Sequence, residues 1–380
     1  MAKVIEVNDI EELAEYRLLW NSLFAATPAA SFFLTFEWLE AYWRNFGRGQ
    51  KLKVLIIYAA DEPVGILPLC VRTEKYRLSK VRVLTYPLDN CGTWYGPIGP
   101  NPASTMLAAM QHIRTTPRDW DMIELRWVAD EAMQGGKSAR ALRIAGMLSE
   151  KREYQTTSVM ELPESWEAFV ACKSRSLRSQ FRRHLRHAFE ENHAEYIRHR
   201  PAPQREGDGD PGWDVYKMCE EIAATSWQSH VVDGNTLTHD GVRNFYRDAH
   251  AAAARLGMAD VNVMLFEGRP AAFVYSYHYN GRLSLLRTGF NPEFGEHGFG
   301  SALMLKLIDD SIARGDYFVD FGPGEREHKR RLRTRTESTY RLTYTPLGSW
   351  RSQTVRWTRW AKSHLQLPRV GRAAAQPVSA

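Results

Sequence analysis

The sequence lacks the patterns that mark several common protein classes. Its four cysteines, Cys70, Cys91, Cys172 and Cys219, are scattered and never form a C-x-x-C pair. That spacing removes the usual zinc and dithiol motifs and leaves plain buried thiols as the expectation. No cluster of His, Cys and Asp has ligand spacing, so no metal is implied. Uncharged apolar residues never run long enough to cross a bilayer, and Met1–Ile10 alternates charged with apolar residues instead of forming a leader-like run. The expectation is a cytoplasmic chain that does not span a membrane.

What is present is ample material for a core. Of 380 residues, 44% are hydrophobic and 12% aromatic, so the chain is globular and long enough for two domains. The net charge of +6 permits an anionic partner such as nucleic acid, a membrane surface or a nucleotide cofactor, without choosing among them.

Periodicity gives a mixed α/β reading. Glu11–Phe24 and Thr35–Phe46 carry apolar residues at helical spacing, and Leu52–Ala60 and Val64–Val71 are strand-like runs joined by a polar turn. A strand at Val81–Tyr86, a Gly- and aromatic-rich loop over Pro87–Pro102, a helix at Ala103–Arg114, a strand at Met122–Arg126 and a helix at Ser138–Glu150 complete a first module. A strand at Thr157–Leu162 opens the second. Leu177, Phe181, Leu185 and Phe189 recur every fourth residue, predicting a largely helical Ser165–Asn192. After a Pro- and Gly-rich surface loop over Arg200–Gly212 come helices at Trp213–Ser229 and His239–Leu256.

Val261–Phe266, Ala271–Tyr279 and Leu283–Phe290 then form a three-strand meander, with Asn280-Gly281 as a strong hairpin signal. A glycine loop, Asn291–Gly300, feeds a helix at Ser301–Arg314; a strand at Tyr317–Phe321, a second glycine loop and a strand at Thr339–Thr345 follow. Three regions are expected: 1–155, 156–348, and a basic aromatic tail at 349–380 that is disordered at least over Gly371–Ala380.

Four stretches resemble a known family: S-F-F-L-T-F-E-W-L at Ser31–Leu39, S-R-S-L-R-S-Q-F-R-R at Ser174–Arg183, H-G-F-G-S-A-L at His297–Leu303, and D-F-G-P-G-E-R-E-H-K at Asp320–Lys329. In this order, beside the meander, glycine loop and helix, they resemble the GNAT acyltransferases, and within them the tandem branch of CelD-like acetyltransferases and FemAB-type peptidyltransferases. The resemblance runs from about Ser31 to Tyr344. It implies two GNAT-like halves, each a mixed and mostly antiparallel sheet flanked by helices, with the acyl-CoA site in the second. Acyl-CoA, most simply acetyl-CoA, would be the co-substrate, and a small or cell-envelope-related amine or hydroxyl the acceptor.

Gly298, Phe299, Gly300 and Ser301 enter the helix where backbone N–H groups are unbonded and the helix dipole favours an anion. Gly295 stands where the family pattern has Gln or Arg. Asp320 ends a strand and is a candidate base, with a cap of the following turn as the alternative. His328 takes the place of a Tyr in the family's second loop and can still move a proton; Lys329 and Arg331 are candidate contacts to phosphate or acceptor, with a solvated surface as the equal alternative.

Lys173, Arg175, Arg178, Arg182, Arg183 and Arg186 crowd one helix with no acid between Cys172 and Phe189. A solvated face is one reading; an anionic ligand held by Arg178 and Arg182 is the other. Trp227 and, from the first half, the Trp94-Tyr95 loop are candidates to line an acceptor groove. In the tail, Trp350, Trp357 and Trp360 alternate with Arg351, Arg356, Arg359 and Lys362. Packing on the protein ranks ahead of contact with an anionic membrane surface.

Acyl transfer from CoA leads the readings. The alternatives are a FemAB-type transferase using aminoacyl-tRNA and a non-catalytic binder of nucleic acid or membrane. Nucleic acid is the less favoured partner, and oligomeric state, acyl length and acceptor are not determined by sequence.

Overall fold

The computed structural model describes residues 2–76, 79–89, 91–129, 137–225, 236–324 and 326–364. The chain order begins with strand β1 (Lys3–Val7), helices α1 (Ile10–Ala14), α2 (Arg17–Ala25) and α3 (Phe36–Phe46), and strands β2 (Lys51–Ala59), β3 (Glu62–Tyr76) and β4 (Ser79–Thr85). Helix α4 (Pro102–Thr115), strand β5 (Met122–Val128), helix α5 (Lys137–Ile144) and strand β6 (Glu150–Glu161) follow. Two helices, α6 (Trp166–Ala171) and α7 (Arg175–Leu185), intervene. The pattern then recurs as β7 (Glu195–His199), α8 (Trp213–Thr225), α9 (Arg243–Arg255), β8 (Ala259–Phe266), β9 (Arg269–Tyr279), β10 (Arg282–Phe290), α10 (Phe299–Ala313), β11 (Phe318–Pro323), α11 (Glu327–Leu332) and β12 (Arg335–Tyr344). Helix α12 (Trp350–His364) closes the described chain.

All twelve strands join one sheet in the order β1-β2-β3-β4-β5-β12-β6-β11-β10-β9-β8-β7. The order is a palindrome of two repeats, with the last strands exchanged. β6 ends the first repeat but pairs with β11 of the second, while β12 ends the second and pairs with β5 of the first. In each repeat one strand pair is parallel, β4 with β5 and β10 with β11. β6 therefore crosses the 155/156 boundary expected from sequence.

Local chemistry explains the elements. Asn280 and Gly281 both have positive φ, 44° and 68°, as the two-residue β9–β10 turn requires. Thr35 accepts from the Trp38 N–H at 3.1 Å to start α3, and Ser174 accepts from the Leu177 N–H at 3.3 Å to start α7.

Successive residues of β9 face opposite sides. Ala272 and Val274 join the core under α10, whereas Phe273, Tyr275 and Tyr277 join the larger core shared with the first repeat. There Phe32 meets Tyr277 at 4.5 Å and Trp38 meets Phe245 edge-on at 5.1 Å. At the sheet edge, Arg198 of β7 and Arg200 just after it bind the fully buried Asp260 of β8 at 2.8 and 2.5 Å, and Arg200 also reaches Asp316 at 2.7 Å.

Several sequence expectations are corrected. The helix anticipated over Ser165–Asn192 is broken at Cys172–Ser174 and ends in a π-turn over Arg186–Glu191. Glu11–Phe24 is two helices. β1 and β7 escape detection because both are edge strands that bury little. Cys172 is exposed, unlike the other three cysteines. The tail is helical over Trp350–His364; Gly371–Ala380 lies outside the described residues. Among the described residues no helix is long and apolar enough to cross a membrane.

Candidate active site

The parallel pairing of β10 with β11 runs only from Arg282–Phe318 to Ser284–Asp320. Beyond that rung the strands diverge. β10 continues to Phe290 with a register shift between Leu285 and Arg287, while β11 turns at Gly322, whose φ is +72°. A Cβ on Gly322 would stand 3.2 Å from the Leu285 carbonyl oxygen, so glycine serves here on both conformational and spatial grounds.

The divergence opens a cavity of about 370 Å³. Thr288, Gly289 and Phe290 form its β10 wall, Arg326, His328 and Arg331 its opposite rim, and Leu177, Phe181 and His184 of α7 its cover. Gly298, Phe299, Gly300 and Ser301 also border it. Gly298 is left-handed, with φ +64°, and α10 has no side-chain cap. The Ser301 N–H bonds back to the Gly298 carbonyl at 3.0 Å. A Cβ on Gly298 would come 3.3 Å from the His184 ring.

The lining is apolar inside and cationic at the rim. Burial, with the neighbouring Lys329 and Arg326 charges, holds the His328 imidazolium below its ordinary pKa, and burial with Arg183, Arg331 and His187 does the same for His184. Both rings thus favour the neutral form near pH 7.

Asp320 lies on the opposite side of the sheet. Its carboxylate is 2% exposed and accepts from the Trp94 indole N–H at 2.5 Å and from the Gly322 N–H at 2.8 Å. Burial raises its pKa, against the two hydrogen bonds and the Lys329 charge, while Glu337 adds to the rise. Asp320 is also the last rung before the strands part, so it sits at the apex of the cleft.

The Lys329 ammonium donates to the carbonyls of Gly322 and Pro323 at 3.1 and 2.8 Å. It closes the β11 exit and is not among the residues bordering the cavity. Burial brings it down to about 8.

The remaining sequence candidates fall apart in space. Arg182 is exposed and Arg178 half-buried, on α7 away from the cavity lining. Tyr95 is 2% exposed in the first repeat, against Tyr86, and beside Trp94 it borders a void of only about 30 Å³. Trp227 lies outside the described residues.

Sequence reasoning did not single out Trp94 as a partner of Asp320, nor His184, Arg326 or Glu337. The Glu337 Oε2 is buried without a partner among the described residues, and its strand position gave the only advance signal: an acid at an inward-facing site of β12.

The comparisons agree with this geometry. Residues 175–330 match the family model described as "Acetyltransferase (GNAT) domain". No curated protein matches the sequence significantly. Among solved structures, FemX superposes over 94% of this chain and 99% of its own at TM-score 0.60 and 9% identity. The C-terminal domain of a putative lysylphosphatidylglycerol synthetase from Agrobacterium fabrum superposes over 92% and 96% at TM-score 0.52 and 8% identity. A conserved protein of unknown function from Bacteroides thetaiotaomicron does so over 91% and 100% at TM-score 0.53 and 9% identity. At such identities these likenesses speak for the fold. Residues 175–330 thus match a GNAT acetyltransferase domain, carried by a chain that shares its overall fold with FemX.

Proposed function

We propose that the chain transfers an acyl group, most simply acetyl, from a CoA-type thioester to an amine or hydroxyl of a small or cell-envelope-related acceptor in the cytoplasm. The observation that carries this reading is the uncapped start of α10 opening on the cavity where β10 and β11 part. Unbonded N–H groups, the positive end of the helix dipole and the Arg326 and Arg331 rim suit a diphosphate. Glycines at 298 and 300 let the backbone approach it, and the apolar interior suits a pantetheine arm.

In this reading the acceptor approaches from the Asp320 side of the sheet and the donor from the α10 side, meeting at the apex. The Asp320 carboxylate takes the proton as the acceptor nitrogen or oxygen bonds to the thioester carbon, and Trp94 holds it in place. As the C–S bond breaks, the N–H of the neutral His328 is suited to hydrogen-bond the departing thiolate, which then takes its proton from water. Free backbone N–H groups along the parted strands are suited to polarise the carbonyl. Holding the two substrates in line supplies much of the acceleration. Lys329 supports the site by locking the turn that shapes the cleft.

A thermal-shift titration tests the donor. Acetyl-CoA and free CoA are expected to raise the melting temperature by mass action; no shift with any acyl-CoA at saturation would remove the reading.

The exposed arginines of α7, the helix whose apolar face covers the cavity, favour a second reading in which the donor is aminoacyl-tRNA. Binding of charged tRNA that weakens steeply with salt, without any response to acyl-CoA, would select it.

A further inference from the structure

Helix α12 is anchored on one side and bare on the other. Val355 is 2% exposed and packs with Val81, Val83 and Met122 of β4 and β5. Ser352 is fully buried, the Arg359 guanidinium donates to Glu124 at 2.6 Å, and Thr354 meets Ser79 at 3.1 Å. These contacts fix the helix's rotation about its axis.

At 100° per residue, positions 350, 357 and 360 fall roughly opposite positions 352, 355 and 359. Trp350 is 68% exposed, Trp357 67% and Trp360 47%, and Leu347, just before the helix, is 84% exposed. Trp357 and Trp360 sit edge to face at 5.7 Å. Arg351 and Arg356 are exposed beside them. From residue 338 to 380 the sequence holds seven Lys or Arg and no Asp or Glu. Clustered exposed indoles are rare on a protein surface that meets only water.

We propose that the outward face of α12 docks the protein on an anionic lipid surface, the indoles entering the headgroup zone and the arginines pairing with lipid phosphates. The charge pattern selects this occupant. Arg351 already faces Asp121 at 3.7 Å, but a purely apolar partner would leave the exposed Arg356 without a counter-charge, and a phosphate chain alone would leave Leu347 and the indoles in water. Tryptophan is favoured at the membrane interface because its ring is apolar and its N–H stays hydrogen-bonded. Cations near an anionic leaflet add attraction. This inference stands on α12 and is independent of the donor assigned to the acyl-transfer site.

The test uses the full chain with two vesicle types, phosphatidylcholine alone and phosphatidylcholine mixed with phosphatidylglycerol. The wild type is expected to float with the mixed vesicles only, its tryptophan emission moving to the blue, with binding that weakens as salt rises. Trp350→Ala/Trp357→Ala should bind on the order of tenfold or more weakly. Arg351→Gln/Arg356→Gln should lose about fivefold for each cation removed. Melting temperature and circular dichroism confirm that both variants fold. The proposal is overturned if the wild type ignores the mixed vesicles at low salt, or if the tryptophan variant binds them as tightly. A tryptophan-dependent dimer in sedimentation velocity, or single-stranded nucleic acid bound through the same residues with no vesicle binding, overturns it equally.

Discussion

At the scale of single residues, the contact that most shapes the chemistry joins Trp94 to Asp320 across 226 positions. Burial raises the carboxyl, and the indole N–H opposes that rise by bonding to the ionised form. A base must be ionised to work, so kcat/KM should climb with pH through the raised Asp320 pKa. Asp320→Asn should lower kcat by about a hundredfold or more. Trp94→Phe removes the bond that favours the carboxylate, so the acidic limb of the pH profile should move to higher pH; an unmoved limb would deny Trp94 its positioning role. The position of Asp320 at a strand end was legible in sequence. Its indole partner was not, because nothing in a loop of Gly, Trp and Tyr states which distant strand it will meet.

At the scale of elements, the start of α10 concentrates the site in a few backbone groups. Gly298→Ala places a side chain in the left-handed region and against His184, costing about 1–2 kcal/mol. It should also narrow the proposed anion cradle, so thermal titration with CoA is expected to show a smaller shift than the wild type gives. Helix α7 was legible in its apolar stripe, and Leu177 and Phe181 do cover the cavity. Its arginines were legible as a charge run, yet the same periodicity that turns the stripe inward turns Arg182 outward. The break at Cys172–Ser174 follows from Ser174, whose hydroxyl caps a new helix in place of continuing the old one. β7, Glu-Tyr-Ile-Arg-His, reads as polar because half of it faces partners supplied by β8 and by the chain around Asp310–Asp316.

At the scale of the whole molecule, the two repeats share a sheet, a core and their final strands. The Arg198, Arg200, Asp260 and Asp316 network fastens the outer edge of the second repeat. Asp260→Ala leaves two largely buried guanidinium groups short of a counter-charge, and we expect a loss of roughly 3–5 kcal/mol in urea unfolding. The pH dependence has a definite sign. Burial pushes Asp260 and Asp316 up, but their arginine partners, and His278 for Asp316, outweigh it and hold both below the usual carboxylate range. Their stabilisation is therefore complete above about pH 4, where the unfolded carboxylates are ionised. It should fade as pH falls below that point, and Asp260→Ala should show less of this acid sensitivity.

The sequence alone determined the order of most elements, the edge strands β1 and β7 apart, together with the glycine entry to α10 and the apolar stripe of α7, since these depend on neighbours within a turn or a hairpin. Only the tertiary structure decided the exchange of β6 and β12, the turning of Asp320 away from α10 toward Trp94, and the outward presentation of Trp350 and Trp357. Those outcomes rest on contacts between residues hundreds of positions apart, and side-chain periodicity carries no information about which distant surface will arrive to meet a face.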